Sequence, residues 1–149
     1  MLTIVLVDPK IPPNTGNVAR LCAATNTRLH LVGELGFTLD DKHLKRAGLD
    51  YWPYVNWEVF PDTESYFASL DPKSLALFTT KSEIAYTQVN YTPNHSLVFG
   101  SETLGLSETL RQQYSDQCVT LPMINPNIRS LNLATTVGIG LYEAIRQIA

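Results

Sequence analysis

Short apolar runs alternate along this chain with stretches in which apolar residues return every three or four positions. The runs LTIVLV (2–7), RLHLVG (28–33), LALFTT (75–80), SLVFG (96–100) and CVTLP (118–122) are brief and bounded by turn residues, and they read as buried strands. VNWEVF (55–60) is a weaker sixth. Between them, residues 16–26 place Val18, Leu21, Cys22 and Thr25 on one helical stripe. DDKHLKRA (40–47) reads as a short charged helix, and TESYFASL (63–70) as a helix opened by Thr63 in an imperfect capping box, with Tyr66 where an acid belongs. A helix over 107–115 begins at Ser107, with Glu108 in the first turn where the helix dipole favours an acid. The last helix, 131–148, is the longest, with Ser130 as its expected N-cap and Asn132 in its first turn. Continuous apolar strands alternating with helices predict an α/β fold, a mostly parallel sheet flanked by helices. A single domain over 1–149 is expected, because no linker, repeat or low-complexity segment divides the chain.

Composition narrows the function only a little. Apolar residues make up 44% and charged residues 17%, ordinary for a globular protein. A net charge of -3 argues against a broadly basic nucleic-acid wrapper but leaves room for a local basic patch. Cys22 and Cys118 are far apart and outside any CxxC, so they read as reduced, buried thiols of a cytoplasmic protein. His30, His43 and His95 are scattered, and no metal site is expected. No apolar run of about 18 residues exists, so no membrane span is expected. MLTIVLVDP lacks the basic start of a signal peptide and reads as a strand.

In open parallel sheets, ligands sit beyond the carboxyl ends of the strands. Three loops there carry unusual chemistry. DPKIPPNTGNVAR follows the first strand without a GxGxxG, so the usual dinucleotide fingerprint is missing. Pro12 and Pro13 stiffen it, Gly16 allows a turn or close approach, and Asn17, Arg20 and Ala24 fall on a face distinct from the apolar stripe. That face is either simply solvated, or it presents a fork of five donors and two amides to an anionic, oxygen-rich ligand. LVFGSETLGLSE (97–108) sets Ser101, Glu102 and Thr103 between glycines, and no Lys follows Gly105 as a Walker A loop would need. A tight turn is the plain reading, but Glu102 is also placed to accept from a ribose hydroxyl or a bound cation. The third segment, LPMINPNIRSLNLATTVGIGLYEAIRQIA (121–149), ends in a helix apolar around most of its circumference. Ala134, Gly138, Gly140 and Ala144 would admit another backbone, so a homodimer seam is expected, with a central core helix as the alternative.

Together these segments resemble the SPOUT superfamily, in its 2'-O-ribose methyltransferase branch. NTGNVAR supplies an Asn-x-Gly-Asn-x-x-Arg motif at Asn14, Gly16, Asn17 and Arg20. GSETLGL supplies a Gly-x-Glu-x-x-Gly-Leu loop at Gly100, Glu102, Gly105 and Leu106. LPM and RSLNLA supply the third, with Ser130 and Asn132. The three occur in order over nearly the whole chain. The start at motif one without an RNA-binding extension, and the stretch DDKHLKRAGLDYW, are similar to the short YibK-like (TrmL) subgroup, which modifies the wobble nucleotide of certain tRNAs. PMINPNIRS is a residue longer than expected of close relatives, which leaves the contacts of 124–128 open.

The resemblance implies a deep C-terminal trefoil knot, which general topology rules argue against. It implies S-adenosylmethionine held near Phe78, Thr79, Gly100, Leu121, Met123, Ser130 and Leu131, no metal, and a homodimer through the C-terminal helix. It further implies Arg20 as the central catalytic group, with Asn14 and Asn132 orienting it and the nucleotide and Glu102 fixing the arrangement. The RNA partner would be a tRNA anticodon loop, contacted by Asn17 and by Lys42, Lys45 and Arg46, which share one helical face unless that face is merely solvated. Two other classes stay open at this point: a nucleotide-dependent oxidoreductase, weakened by the missing GxGxxG, and a non-catalytic RNA-binding module.

Overall fold

The computed structural model describes residues 1–40, 42, 45, 46 and 51–149. All six expected strands form: β1 (Thr3–Val7), β2 (Arg28–Val32), β3 (Asn56–Phe60), β4 (Leu75–Phe78), β5 (Ser96–Phe99) and β6 (Cys118–Val119). They make one sheet in the order β3-β2-β1-β5-β4-β6, and every pairing is parallel. The sheet is therefore wholly parallel rather than mostly so. β1, β4 and β5 are buried along their full length, as a sheet covered on both faces requires. β3 is exposed over its first three residues, which explains its weaker sequence signal: it is an edge strand.

Among the described residues, the helices α1 (Pro12–Thr25), α2 (Thr63–Ala68), α3 (Glu108–Gln113) and α4 (Leu133–Ile148) cover the two faces. Alternate strand residues point to opposite faces. Ile4, Leu6, Leu29, Leu97 and Phe99 pack with Val18 and Cys22 of α1 and Val137 and Leu141 of α4. Val5, Val7, Leu77 and Val98 pack on the other side with Tyr66 and Phe67 of α2 and Leu110 of α3. A fully buried Leu or Ile contributes roughly 2 kcal/mol against exposure, and both faces are lined this way.

Several boundaries differ from expectation for local reasons. α1 starts at Pro12, so the two prolines form its first turn rather than a stiff loop. Proline suits that position because first-turn amides have no partner within the helix. Gly16 is a buried helical residue, not a turn. α2 is capped by Asp62, whose carboxylate accepts from the amides of Glu64 and Ser65, and not by Thr63. Ser107 caps α3 as expected, accepting from the Leu110 amide. α4 is capped by Asn132, whose side chain accepts from the Thr135 amide, so Ser130 lies outside the helix. Of the charged helix expected over 40–47, Lys42, Lys45 and Arg46 are helical and exposed, and the remainder after Asp40 lies outside the described residues.

Candidate active site

The strand order reverses between β1 and β5, so the loops leaving their carboxyl ends lie side by side. This switch point is where an open parallel sheet leaves a crevice for ligands. The loop after β1 turns at Asp8, which adopts φ 52. Aspartate tolerates this left-handed conformation better than most residues. Its amide donates to the Val32 carbonyl at 2.8 Å and its carboxylate accepts from the Glu34 amide at 2.7 Å. A Cβ at Gly33, itself at φ 86, would strike that carboxylate. The chain then enters α1 through Ile11, an N-cap without a polar side chain.

The missing cap is supplied from across the crevice. Glu102 accepts from the Lys10 amide at 2.9 Å and from the Ile11 amide at 2.8 Å, one bond to each carboxylate oxygen. A carboxylate at a helix N-terminus satisfies orphan donors and meets the positive end of the dipole. The loop that carries it is closed on itself. Gly105 donates to the Ser101 carbonyl at 2.9 Å, the Leu104 amide donates to Ser101 Oγ at 3.1 Å, and Gly105 takes φ 68. A Cβ at Gly100 would run into the backbone of Gly105 and Leu106. The need for glycine at 100 is therefore set by the loop's own backbone, before any ligand is considered.

Two asparagines extend this arrangement to the third segment. Asn14 Nδ2 donates to Glu102 Oε2 at 3.4 Å, a long bond, and Asn132 Nδ2 donates to Asn14 Oδ1 at 3.2 Å. Asn132 Oδ1 in turn accepts from the Thr135 amide at 3.3 Å. The directions are forced from both ends. A carboxylate only accepts and a peptide N–H only donates, so each amide has one permitted orientation. The three sequence motifs thus meet in one chain of bonds that ties the first turns of α1 and α4 to the β5 loop.

Arg20 stands apart from that chain. Six residues separate it from Asn14, which at about 3.6 residues per turn puts it roughly a third of the way around the helix. Arg20 is exposed, its guanidinium carbon 4.9 Å from the centroid of the Tyr51 ring, and among the described residues it makes no hydrogen bond. Asn132 bonds to Asn14 and Asn14 to Glu102, and neither asparagine bonds to Arg20. Asn17 is exposed on the outer side of α1, as its helical position suggested.

The expected donor-site residues follow three neighbouring strands. Thr79 leaves β4, Gly100 leaves β5, and Leu121 and Met123 follow β6, while Ser130 and Leu131 precede the Asn132 cap. The Thr79 amide donates to the Val119 carbonyl at 2.9 Å, which holds the first and third of these together. Phe78 is different: its ring is buried, stacked on Phe99 at 4.6 Å, and a Cβ at Gly140 would come within 2.7 Å of it. Its ring is therefore not available to a ligand. Segment 122–131 is mostly exposed, with Ile124 97% and Leu131 40% accessible. The peptide N–H groups of Leu121, Met123 and Leu131 carry no intrachain hydrogen bond among the described residues. Free backbone donors beside exposed apolar side chains fit a ligand with an aromatic ring and polar edges. Among the described residues no three His, Cys, Asp or Glu side chains come together to hold a metal ion.

The small residues of α4 serve the chain's own packing. Gly140 makes room for Phe78, Ala144 is buried in the core, and a Cβ at Gly138 would meet Leu21 of α1 at 3.6 Å. What α4 leaves exposed is its outer side, including Tyr142 at 52%. Sequence reasoning missed Asp8, Ile11 and Tyr51. An aspartate directly after a strand was the available signal for the first, and an N-cap lacking a polar side chain for the second.

The profile of the SpoU rRNA Methylase family matches residues 1–142. The chain is 49% identical over 148 residues, 99% of its length and 96% of the relative's, to the tRNA (cytidine(34)-2'-O)-methyltransferase of Methylovorus glucosotrophus (strain SIP3-4). It superposes with a TM-score of 0.91 and 40% identity, over 99% of this chain and 95% of the other, on a solved structure concerned with 2-OH methylation of C/U34 on tRNA. The SpoU methyltransferase AviRb from Streptomyces viridochromogenes, solved in complex with the cofactor AdoMet, is similar at a TM-score of 0.83 and 25% identity, over 99% of this chain and 60% of that one. Three motifs joined at the switch point, one profile over nearly the full length and this agreement in fold lead to one assignment: the chain belongs to the SpoU rRNA Methylase family.

Proposed function

We propose that this chain methylates the 2'-oxygen of the ribose at wobble position 34, a cytidine or modified uridine, in leucine-accepting tRNAs, with S-adenosylmethionine as methyl donor. The observation that carries the reading is 49% identity, over almost the whole of both chains, to a relative named for that reaction. The leucine acceptors rest on the subgroup resemblance alone. The free amides of Leu121, Met123 and Leu131, with the backbone at Phe78, Thr79, Gly100 and Ser130, are suited to hold the donor's adenine and ribose. A C-terminal trefoil knot would bring these segments together. The donor supplies an activated methyl group, and the protein's task is to place the ribose oxygen in line with it and favour loss of its proton.

Arg20 is assigned to the RNA side. A guanidinium is a permanent cation with a planar fork of donors, better suited to clamp the target phosphate and stabilise a developing alkoxide than to abstract a proton. Glu102, Asn14 and Asn132 hold the first turns of α1 and α4 in register. We assign contact with the anticodon loop to Asn17, Lys42, Lys45 and Arg46, all of which are exposed. We assign a homodimer to the outer side of α4, where a groove of about 480 Å³ lined by Ala24, Tyr142, Ile145 and Ile148 is left open.

Methyl-labelled donor, purified enzyme and total tRNA test the reading, with nucleoside mass spectrometry of the product. Methylated ribose at position 34 of leucine tRNAs is expected, and methylation confined to ribosomal RNA or to the tRNA D-loop overturns it. Action on another RNA position is the second reading, favoured by the family's own description as rRNA methylases. An RNA-binding module without catalysis would bind tRNA and incorporate nothing.

A further inference from the structure

We infer that Tyr51 is a positioning residue for Arg20, holding the guanidinium by its face so that all of its N–H donors stay free for the RNA. The inference deepens the reading above and rests on its assignment of Arg20 to the RNA side. A long exposed side chain samples many rotamers, and fixing one costs entropy. Arg20 is exposed on α1, yet its guanidinium carbon lies 4.9 Å from the Tyr51 ring centroid, within the range of a cation–π contact. Tyr51 is half-buried and its backbone is anchored at the start of a turn. Tyr51 opens the turn Trp52–Tyr54, in which the Tyr54 amide donates to the Tyr51 carbonyl at 2.9 Å and the Val55 amide to the Trp52 carbonyl at 3.1 Å. Trp52 packs against the core and meets Trp57 of β3 edge to face at 5.5 Å, while Val55 is buried.

The kind of partner matters as much as its presence. A carboxylate would orient Arg20 equally well, but it would occupy two of the donors and neutralise the charge that a phosphate needs. A ring face occupies no donor and leaves the charge in place. The stack thus pre-organises the fork without spending it, which is what a clamp acting in the transition state requires.

The test compares wild type with Tyr51→Phe, Tyr51→Leu, Arg20→Ala and the Arg20→Ala/Tyr51→Leu double variant. The Arg20 side-chain Nε–H resonance, identified by its loss in Arg20→Ala, gives a readout without turnover. Ring stacking displaces it in wild type and Tyr51→Phe, and in Tyr51→Leu it moves to the position of solvated arginine. In methyl transfer to tRNA, Tyr51→Leu lowers kcat on the order of fivefold, with donor Kd and Tm unchanged. Tyr51→Phe stays within about twofold of wild type, since the ring face is kept. The double variant is no slower than Arg20→Ala. Wild-type kcat in Tyr51→Leu beside an inactive Arg20→Ala overturns the inference and leaves the function standing. So does a Tyr51→Leu whose Tm and donor affinity fall together with kcat, or a double variant slowed by the Tyr51 factor again. Full activity in Arg20→Ala, or no transfer by wild type, overturns the reading of the site and this inference with it, and is told apart because the resonance displacement survives.

Discussion

Asn14 and Arg20 lie on the same helix within one motif, and their surroundings are opposite. Asn14 is half-buried and spends its amide inside the protein, between Glu102 and Asn132. Arg20 is exposed, lies over a ring face and makes no hydrogen bond among the described residues. The lesson is that polar residues of a single motif divide by helical angle. Those facing the crevice assemble the scaffold, and those facing outward remain available to a ligand. Changes in the first group should therefore lower stability, and changes in the second should lower rate alone.

The largest effect is expected at Gly100, the most constrained point of the scaffold. Gly100→Val forces a side chain into the backbone of Gly105 and Leu106, and urea unfolding should show a loss of about 3 kcal/mol or more. A variant that keeps wild-type stability but no longer binds the methyl donor in calorimetry would move Gly100 from the scaffold to the ligand. Arg20→Ala sharpens the other side of the comparison. Methyl transfer should fall on the order of a hundredfold, with Tm and donor Kd unchanged. Equal losses of donor affinity and rate would place Arg20 in the wrong subsite.

Glu102→Ala strips the Lys10 and Ile11 amides, at the entry to α1, of their acceptor and should cost about 2 kcal/mol of stability, read by the same unfolding titration. Unchanged stability with lost turnover would mean that the carboxylate acts on substrate rather than on the helix. Asn132→Ala removes the cap of α4 and should cost about 1 kcal/mol, with Asn132→Asp recovering part of it through the cap alone.

The smallest effect lies away from the site. Burial holds the buried His95 below its ordinary value of 6.5, and burial together with Arg28 does the same for His30, so both are kept neutral in the folded protein. The unfolded chain binds protons at these histidines more readily. Their contribution to stability is complete above the ordinary value and declines as pH falls through it. Tm should drop between about pH 7.5 and 5.5, and His95→Gln should make the drop shallower. A Tm that is flat over this interval would contradict the burial of these rings.

Much of this was legible in the chain itself. All six strands were readable because a parallel sheet covered on both faces demands continuous apolar runs, and β3 was faint because an edge strand does not. The three motifs were readable as chemistry because they follow buried strands in order, and an acid such as Glu102 set between glycines does more there than a tight turn requires. Helix starts were less legible: Asn132, not Ser130, caps α4, and Asp62, not Thr63, caps α2, since several residues in each stretch are able to cap and local pattern cannot choose between them. Tertiary structure alone decided what each polar residue touches. Glu102 reached the amides of Lys10 and Ile11 only because the strand order reverses between β1 and β5, and Tyr51 met Arg20 only because a turn thirty residues on packs against α1. The sequence by itself determined which residues are apolar, which are able to bond and at what spacing. Contacts between segments ninety or more residues apart depend on how the sheet is ordered, and no periodicity along the chain encodes that order.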